Sequence, residues 1–217
     1  AIMVETILGE GGIKVIPKEC LLGLRKICDE RDILLILDEV QCGIGRTGKF
    51  FAFEWSKIEP DIVPIAKGIG GGFPIGACLM DKKVAEAMKP GSHGSTFGGN
   101  PLGMAVASTV LDHILNKEFL DNVNSVGEYL KDQFHEHIVK KFPKLVKGIR
   151  GKGLMLGIEA LENNETLIKQ MINQKILVVK AGQNVIRMLP PLILEKKHVD
   201  EAIKKIDKAF EKVNEEN

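Results

Sequence analysis

Apolar residues recur along this chain in two rhythms, and each rhythm predicts its own kind of element. After Pro17, Leu21, Leu24, Ile27 and Cys28 fall three and four apart, the spacing of one helix face, and the pattern closes near Arg31 and Asp32. Ile33 to Leu37 is instead an unbroken apolar run bounded by charges, as a parallel strand covered on both faces requires. Asp61 to Ala66 and Ile75 to Met80 predict two further strands, separated by the glycine cluster Gly68 to Gly72, and Asp81 is placed to cap a helix running toward Met88. Helical spacing then dominates from Asn100 to Leu115 and from Glu118 to about Phe142, where Pro143 ends it. Lys152 to Ala160, Ile176 to Lys180 and Val185 to Leu189 predict strands, with helices near Glu165 to Asn173 and from Glu195 to Val213.

The order of these elements implies an α/β first part, a long helical passage suited to bridging two domains, and an α+β unit at the end. Ala1 to Glu5 read as a strand already under way, with no initiating Met, so the expectation is a truncated chain. The charged stretch Glu211 to Asn217 is expected to be a fraying helix end.

Composition narrows the classes. With 217 residues, 44% hydrophobic and 27% charged, the chain is long enough to bury a core. Its 30 basic and 29 acidic residues nearly cancel, which gives no electrostatic hold on nucleic acid or anionic lipid and favours small neutral-to-acidic ligands. No apolar run approaches the roughly 20 residues needed to cross a bilayer, so a protein that is not exported is expected. Cys20, Cys28, Cys42 and Cys78 form no C-x-x-C pair, which argues against a zinc site and a redox dithiol and for reduced cytosolic thiols.

Candidate chemistry gathers where apolar runs end. Asp38 follows the Ile33 to Leu37 run directly, at the edge where open α/β sheets bind ligands, although an Asp there is equally a turn former. Lys67 emerges from Ile62-Val63-Pro64-Ile65-Ala66 into a glycine-rich stretch, a place where desolvation favours a neutral, nucleophilic amine. His93-Gly94-Ser95-Thr96-Phe97-Gly98-Gly99-Asn100 is a hydroxyl- and glycine-rich loop before a helix, suited to phosphate and equally to a plain helix entry. Gly43 to Gly48 satisfies G-x-G-x-x-G, which invites a dinucleotide reading. Its first glycine, however, lies well beyond the strand end, and Phe50-Phe51-Ala52-Phe53 follows where a helix should open.

Taken in order, Leu37-Asp38-Glu39-Val40-Gln41, Gly43-Ile44-Gly45-Arg46-Thr47-Gly48, Pro60-Asp61-Ile62, Ala66-Lys67 with its glycines, and His93-Gly94-Ser95-Thr96 resemble the class III aminotransferases over nearly the whole chain. Gln183 to Leu192 is most similar to the acetylornithine branch of that family. The resemblance implies fold type I: the carboxy-terminal part of a large domain with a mostly parallel sheet over residues 1–114, and a small α+β domain over 115–217. It also implies a cytoplasmic homodimer with shared active sites.

By the same resemblance the cofactor is pyridoxal 5'-phosphate and no metal is involved. Asp38 matches the carboxylate that keeps the cofactor's ring nitrogen protonated, and Lys67 the lysine that bonds its aldehyde carbon and later moves a proton. Glu39, Val40 and Gln41 fall in the cofactor-binding segment, with Gln41 near the ring hydroxyl. Thr96 matches the threonine reaching the phosphate of the neighbouring subunit's cofactor, and Ser95 lies close to substrate. Arg187 matches an arginine gripping a substrate carboxylate, and Glu10 a glutamate that pairs with it in relatives. The chain departs from the family at Glu5-Thr6-Ile7-Leu8-Gly9-Glu10, where relatives often read Glu-Pro-Ile-Gln-Gly-Glu.

The reaction so implied transfers the δ-amino group of N-acetylornithine to 2-oxoglutarate, a step of arginine biosynthesis. Ornithine, succinyldiaminopimelate and 4-aminobutyrate remain alternative donors. An inactive fragment, lacking the half of the site carried by the family's amino-terminal part, and a dinucleotide-dependent oxidoreductase are the readings from other classes.

Overall fold

The computed structural model describes residues 1–216; Asn217, the end of the tail expected to fray, lies outside them. The chain divides into two compact units, one of residues 1–6 and 16–120, the other of 7–15 and 121 onward. The segment 7–15 therefore belongs with the later residues, a grouping that no linear boundary near 114 contains.

In the first unit, β1 (Ile2–Glu5), β4 (Leu35–Asp38), β5 (Ile62–Ile65) and β6 (Ala77–Met80) form one sheet in that order. β1, β4 and β5 are parallel neighbours, with Glu5 opposite Asp38 and Ile36 opposite Ile62. α1 (Lys18–Arg31) supplies the crossover from β1 to β4 and buries Leu21 and Cys28 against Leu35, Leu37 and Ile58. Full burial of each such aliphatic side chain stabilises by about 1.5–3 kcal/mol. Asp32 ends α1 in the left-handed conformation at φ 47°, its N–H turned back to the carbonyls of Asp29 and Cys28.

β6 runs antiparallel to β5, pairing Ile62 with Met80 and Ile65 with Ala77. The apolar run Ile75 to Met80 had predicted this strand without fixing its direction. Only a single 3-10 turn, Lys67–Gly70, occupies the link, and a parallel crossover needs about a dozen residues or more, so the chain folds straight back. At the opposite edge of this sheet Asp61 accepts from the Leu35 N–H at 2.6 Å and from Arg25 at 2.9 Å, tying α1, β4 and β5 together. Asp81 caps α2 (Lys82–Ala85) through the Val84 N–H, and Asn100 caps α3 (Pro101–Ile114) through the Gly103 N–H.

The second unit carries an antiparallel sheet in the order β7 (Val146–Lys152), β8 (Met155–Ala160), β10 (Val185–Met188), β9 (Val179–Ala181). Lys152 to Ala160 had read as one strand, whereas Gly153 and Leu154 turn the chain between β7 and β8. Gly148 and Gly151 in β7 hid that strand from the apolar pattern. α4 (Lys117–Phe134) passes into a π-turn over His135–Val139 and stops short of the Phe142 that periodicity had suggested. Phe134, Ile138, Phe142, Leu156, Ile158 and Phe210 form the centre of the core, closed by α5 (Asn164–Asn173) and α6 (Lys196–Glu216).

A hairpin of β2 (Ile7–Leu8) and β3 (Lys14–Val15) completes this unit. It is too short to show a period-two pattern in the sequence. Its Ile13 is fully buried at φ 53° and lies over Gly157 of β8, where an added Cβ would come within 2.9 Å of the Ile13 Cβ. Glycine at 157 therefore admits the hairpin, which presents Glu10 at its tip.

Candidate active site

Two chemically capable residues stand at the carboxyl ends of adjacent parallel strands. Asp38 closes β4, and Lys67 follows β5 by two residues. The Glu39 N–H donates to the Pro64 carbonyl at 3.0 Å, so the two strand ends stay in register as far as the site. Neighbouring strands lie about 4.8 Å apart, which sets Asp38 and Lys67 on the scale of one small aromatic ring. Asp38 is half-buried, and its Oδ1 accepts from the Val40 N–H at 2.9 Å, which orients the carboxylate and leaves Oδ2 for a ligand.

Lys67 departs from one expectation. It was expected to be desolvated by its apolar strand, but its side chain is exposed, because the 3-10 turn that begins with it carries it past the sheet edge. Among the described residues it has no hydrogen-bond or ion-pair partner. Its backbone sits in the left-handed region at φ 48°, a conformation that costs a non-glycine residue about 1–2 kcal/mol. The next residue, Gly68, lies against Ile44, whose Cβ would be 3.2 Å from a Cβ added there. A lysine held in a strained conformation at the carboxyl end of a parallel strand is a candidate for a residue kept for chemistry.

Glu39 also differs from its expected place. Its side chain is 0% exposed and turned into the protein, where its oxygens accept from the Thr6 hydroxyl at 2.9 Å, the Ala52 N–H at 2.8 Å and the Phe53 N–H at 3.1 Å. Burial pushes its carboxyl above the ordinary carboxylate range, and these donors only partly oppose that. Glu39 is thus a post on which the end of β1 and the loop after Phe50 are hung, beside Asp38. Gly43 admits that packing, since a Cβ there would lie 2.7 Å from the Glu39 carbonyl oxygen.

The stretch Gly43 to Gly48 is a series of turns, with Ile44, Gly45 and Gly48 at positive φ. No helix opens after Gly48; the 3-10 turn Ala52–Trp55 comes instead. That removes the geometry a dinucleotide fingerprint depends on. Within these turns burial lowers the Arg46 guanidinium to about 10, still fully charged at neutral pH. Val40 and Gln41 are half-buried at the same edge, and Cys42 is buried with its thiol 3.5 Å from the Asp38 carbonyl oxygen.

Ser95 and Thr96 lie in an exposed loop before α3. Ser95 Oγ accepts from the Gly98 N–H at 2.9 Å, and Asn100 Nδ2 donates to the Phe97 carbonyl at 2.8 Å, so the loop is internally braced. The Thr96 hydroxyl is open to solvent.

Arg187 and Glu10 meet within the second unit. Arg187 Nη1 lies 2.5 Å from Glu10 Oε1, with the arginine side chain 12% exposed and the glutamate 75% exposed. Arg187 stands on β10 between Gly157 of β8 and Val179 of β9, which fixes its stem. A pair with one partner this exposed is worth no more than about 1 kcal/mol, so a competing carboxylate can displace Glu10.

The arrangement suits pyridoxal phosphate: a carboxylate with one oxygen to spare and a primary amine on neighbouring strand ends. Asp38, Gln41 and Lys67 are the residues of the first unit that could hold such a ring. Among the described residues no helix is long and apolar enough to cross a membrane.

Comparison with known proteins agrees with this reading. Residues 1–210 match the family described as aminotransferase class III. The acetylornithine aminotransferase of Brucella melitensis biotype 1 is 50% identical over 213 residues, covering 98% of this chain and 53% of the relative. That of Bacillus subtilis strain 168 is 46% identical over 210 residues, covering 97% and 54%. Among solved structures, N-acetylornithine aminotransferase from Stenotrophomonas maltophilia K279a superposes with TM-score 0.90 at 36% identity, over 99% of this chain and 57% of that one. The ornithine aminotransferase from Toxoplasma gondii ME49 does so with TM-score 0.91 at 33% identity, over 99% and 52%. The chain spans about half the length of the curated relatives it matches. Its fold is that of the fold type I pyridoxal-phosphate-dependent aminotransferases, and the chain belongs to the class III aminotransferase family.

Proposed function

We propose that the protein transfers the δ-amino group of N-acetylornithine to 2-oxoglutarate, and that this chain supplies the lysine, the ring-facing carboxylate and the carboxylate-gripping arginine of the reaction. The observation that carries the reading is the placement of Asp38 and Lys67 at the ends of the neighbouring parallel strands β4 and β5. Relatives named acetylornithine aminotransferase, at 50% and 46% identity, support the choice of donor. The ornithine aminotransferases among the structural neighbours support ornithine as the second reading.

Pyridoxal phosphate supplies an electron sink for the pair left when the carbon bearing the substrate's amine gives up its proton. Asp38, its Oδ1 held by the Val40 N–H, would be the carboxylate that keeps the ring nitrogen protonated. Lys67 would hold the cofactor through its amine and, when free, that amine would carry the proton leaving the substrate carbon. Its exposed position in this chain lets the amine move between those two tasks. Gln41 would brace the ring hydroxyl, and the open Thr96 hydroxyl would hold the phosphate of a second subunit's cofactor, with Ser95 near substrate.

Arg187 grips a carboxylate with its planar fork when 2-oxoglutarate or glutamate is bound. Glu10 occupies it when the δ-amine end of the donor enters without a carboxylate, so that a largely buried guanidinium is never left opposite methylenes. The 2.5 Å contact between them supports this two-position gate. In this reading the unit of residues 1–6 and 16–120 contributes to the large domain, the unit of 7–15 and 121 onward is the small one, and the enzyme is a cytoplasmic homodimer. Phe97 and Leu102, exposed at 80% and 62%, support an apolar surface covered by another chain.

Steady-state rates of the holoenzyme with N-acetylornithine, ornithine, succinyldiaminopimelate and 4-aminobutyrate test the substrate. N-acetylornithine is expected to have the highest kcat/KM. A preference for ornithine selects the second reading, and a preference for 4-aminobutyrate overturns both.

A further inference from the structure

A gate needs a fixed post as well as a moving arm. Glu10's arm is exposed, yet the backbone that carries it is held at two carbonyls. The Glu10 carbonyl accepts from the Gly182 N–H at 2.8 Å. Two residues on, the Gly12 carbonyl accepts from Arg150 through both Nε, at 2.8 Å, and Nη2, at 2.5 Å. Arg150 is itself steadied by Glu159, whose Oε1 accepts from Nη1 at 2.9 Å, with both side chains 27% exposed. All three outer groups of the guanidinium are thus committed, two to the hairpin and one to β8. Lysine cannot reproduce that fork.

The contact is close on every side. Gly12 stands at φ +99°, and a Cβ built there would lie 2.5 Å from the Gly182 carbonyl and 3.0 Å from Arg150 Nη2. Gly182 belongs to the turn that leads into β10, the strand of Arg187. The same three contacts therefore fix where the Glu10 side chain begins and where the arginine it meets is rooted.

We infer that Arg150, braced by Glu159, is the positioning residue of the Glu10–Arg187 gate: it holds the hairpin so that Glu10 closes on Arg187 when no substrate carboxylate is there. This rests on the gate reading given above. When Arg150 is removed, the hairpin keeps the Gly182 contact but loses its second tether, and the closed position becomes less populated. A carboxylate substrate binds an arginine that is open more of the time, so its apparent affinity rises. The donor end, which needs the gate closed, binds less well. Selectivity between the two half-reactions shifts in opposite senses, which general loosening of the fold does not produce.

The test is single-turnover kinetics of each half-reaction of the holoenzyme, with N-acetylornithine on one side and 2-oxoglutarate on the other. Arg150→Met is expected to raise the half-saturation for N-acetylornithine and lower that for 2-oxoglutarate. Their ratio should move by about tenfold, an ordinary size for coupling between linked sites, with the limiting rates within about twofold, as loss of ground-state binding alone requires. Arg150→Lys should recover part of the ratio. Glu10→Gln should move it the same way, and the double variant should go no further than Glu10→Gln alone. If Arg150→Met does not fold, Glu159→Gln carries the test, with a smaller shift in the same direction. A ratio that Glu10→Gln moves and the Arg150 or Glu159 variants leave alone overturns the positioning role and spares the gate, and so do effects that simply add. A ratio unmoved by Glu10→Gln overturns the gate and the inference with it.

Discussion

Replacing Gly12 by alanine puts a single methyl where the structure has no room. The residue holds φ +99°, and the new Cβ would lie 2.5 Å from the carbonyl oxygen of Gly182, a backbone atom that cannot swing aside. Forcing a non-glycine residue into such a conformation costs about 1–3 kcal/mol. Overpacking of a filled site costs about 1–3 kcal/mol more. A total of about 2–6 kcal/mol rivals a domain's whole stability of about 5–15 kcal/mol, so the strain is expected to be relieved by the hairpin lifting away. Two readouts follow. Urea unfolding of Gly12→Ala should give a lower midpoint at similar slope, and the Gly182 amide, which donates to the Glu10 carbonyl, should lose protection from hydrogen exchange. Gly23→Ala is the control, because nothing lies within 4 Å of its added Cβ on α1. It should stabilise by about 0.5–1 kcal/mol. A Gly12→Ala loss under about 0.5 kcal/mol with the Gly182 amide still protected would refute the packing described for this hairpin.

Asn184 ties the turn before β10 to its neighbours: Nδ2 donates to the carbonyls of Ala160 and Glu162, each at 2.8 Å, and Oδ1 accepts from the Asn164 N–H at 2.9 Å. Asn184→Ala should cost about 2–3 kcal/mol in equilibrium unfolding, from lost hydrogen bonds and a left-handed residue without its side-chain support. Glu39 makes stability depend on pH. Its folded pKa is raised by burial, so its contribution is complete below the ordinary carboxylate range and fades as pH rises through the raised value. Unfolding of the native protein and of Glu39→Gln, compared from about pH 4 to 8, should show the native protein losing ground as pH rises; a constant gap would contradict the burial of that carboxylate.

Much of the first unit was legible because its signals are local. The helix after Pro17, the strand ahead of Asp38, the Asp81 cap and the helix that opens at Asn100 each follow from a few adjacent residues. The end of a strand just before Lys67 was legible from its neighbours, yet the exposure of the lysine was not, since the turn that lifts it from the sheet depends on glycines that fit several geometries. The antiparallel return of β6 is a statement about the length and shape of the link, which apolar runs do not encode. The burial of the Glu39 side chain was not legible because Asp38 and Glu39 are chemically alike in sequence, and only the alternation of β4 carried one residue past its end turns the second inward. Arg150 carried no signal at all. Its partners lie 138 and nine residues away, joined by a hairpin too short to announce itself.

The proposed chemistry depends most on one bond: the one between the Lys67 amine and the aldehyde carbon of pyridoxal phosphate. Borohydride reduction of the protein in the presence of the cofactor, followed by peptide mapping, reads it directly. The reduced cofactor's mass is expected on the peptide containing Lys67 and should be lost in Lys67→Ala. Label on another lysine, or none at all, would contradict it.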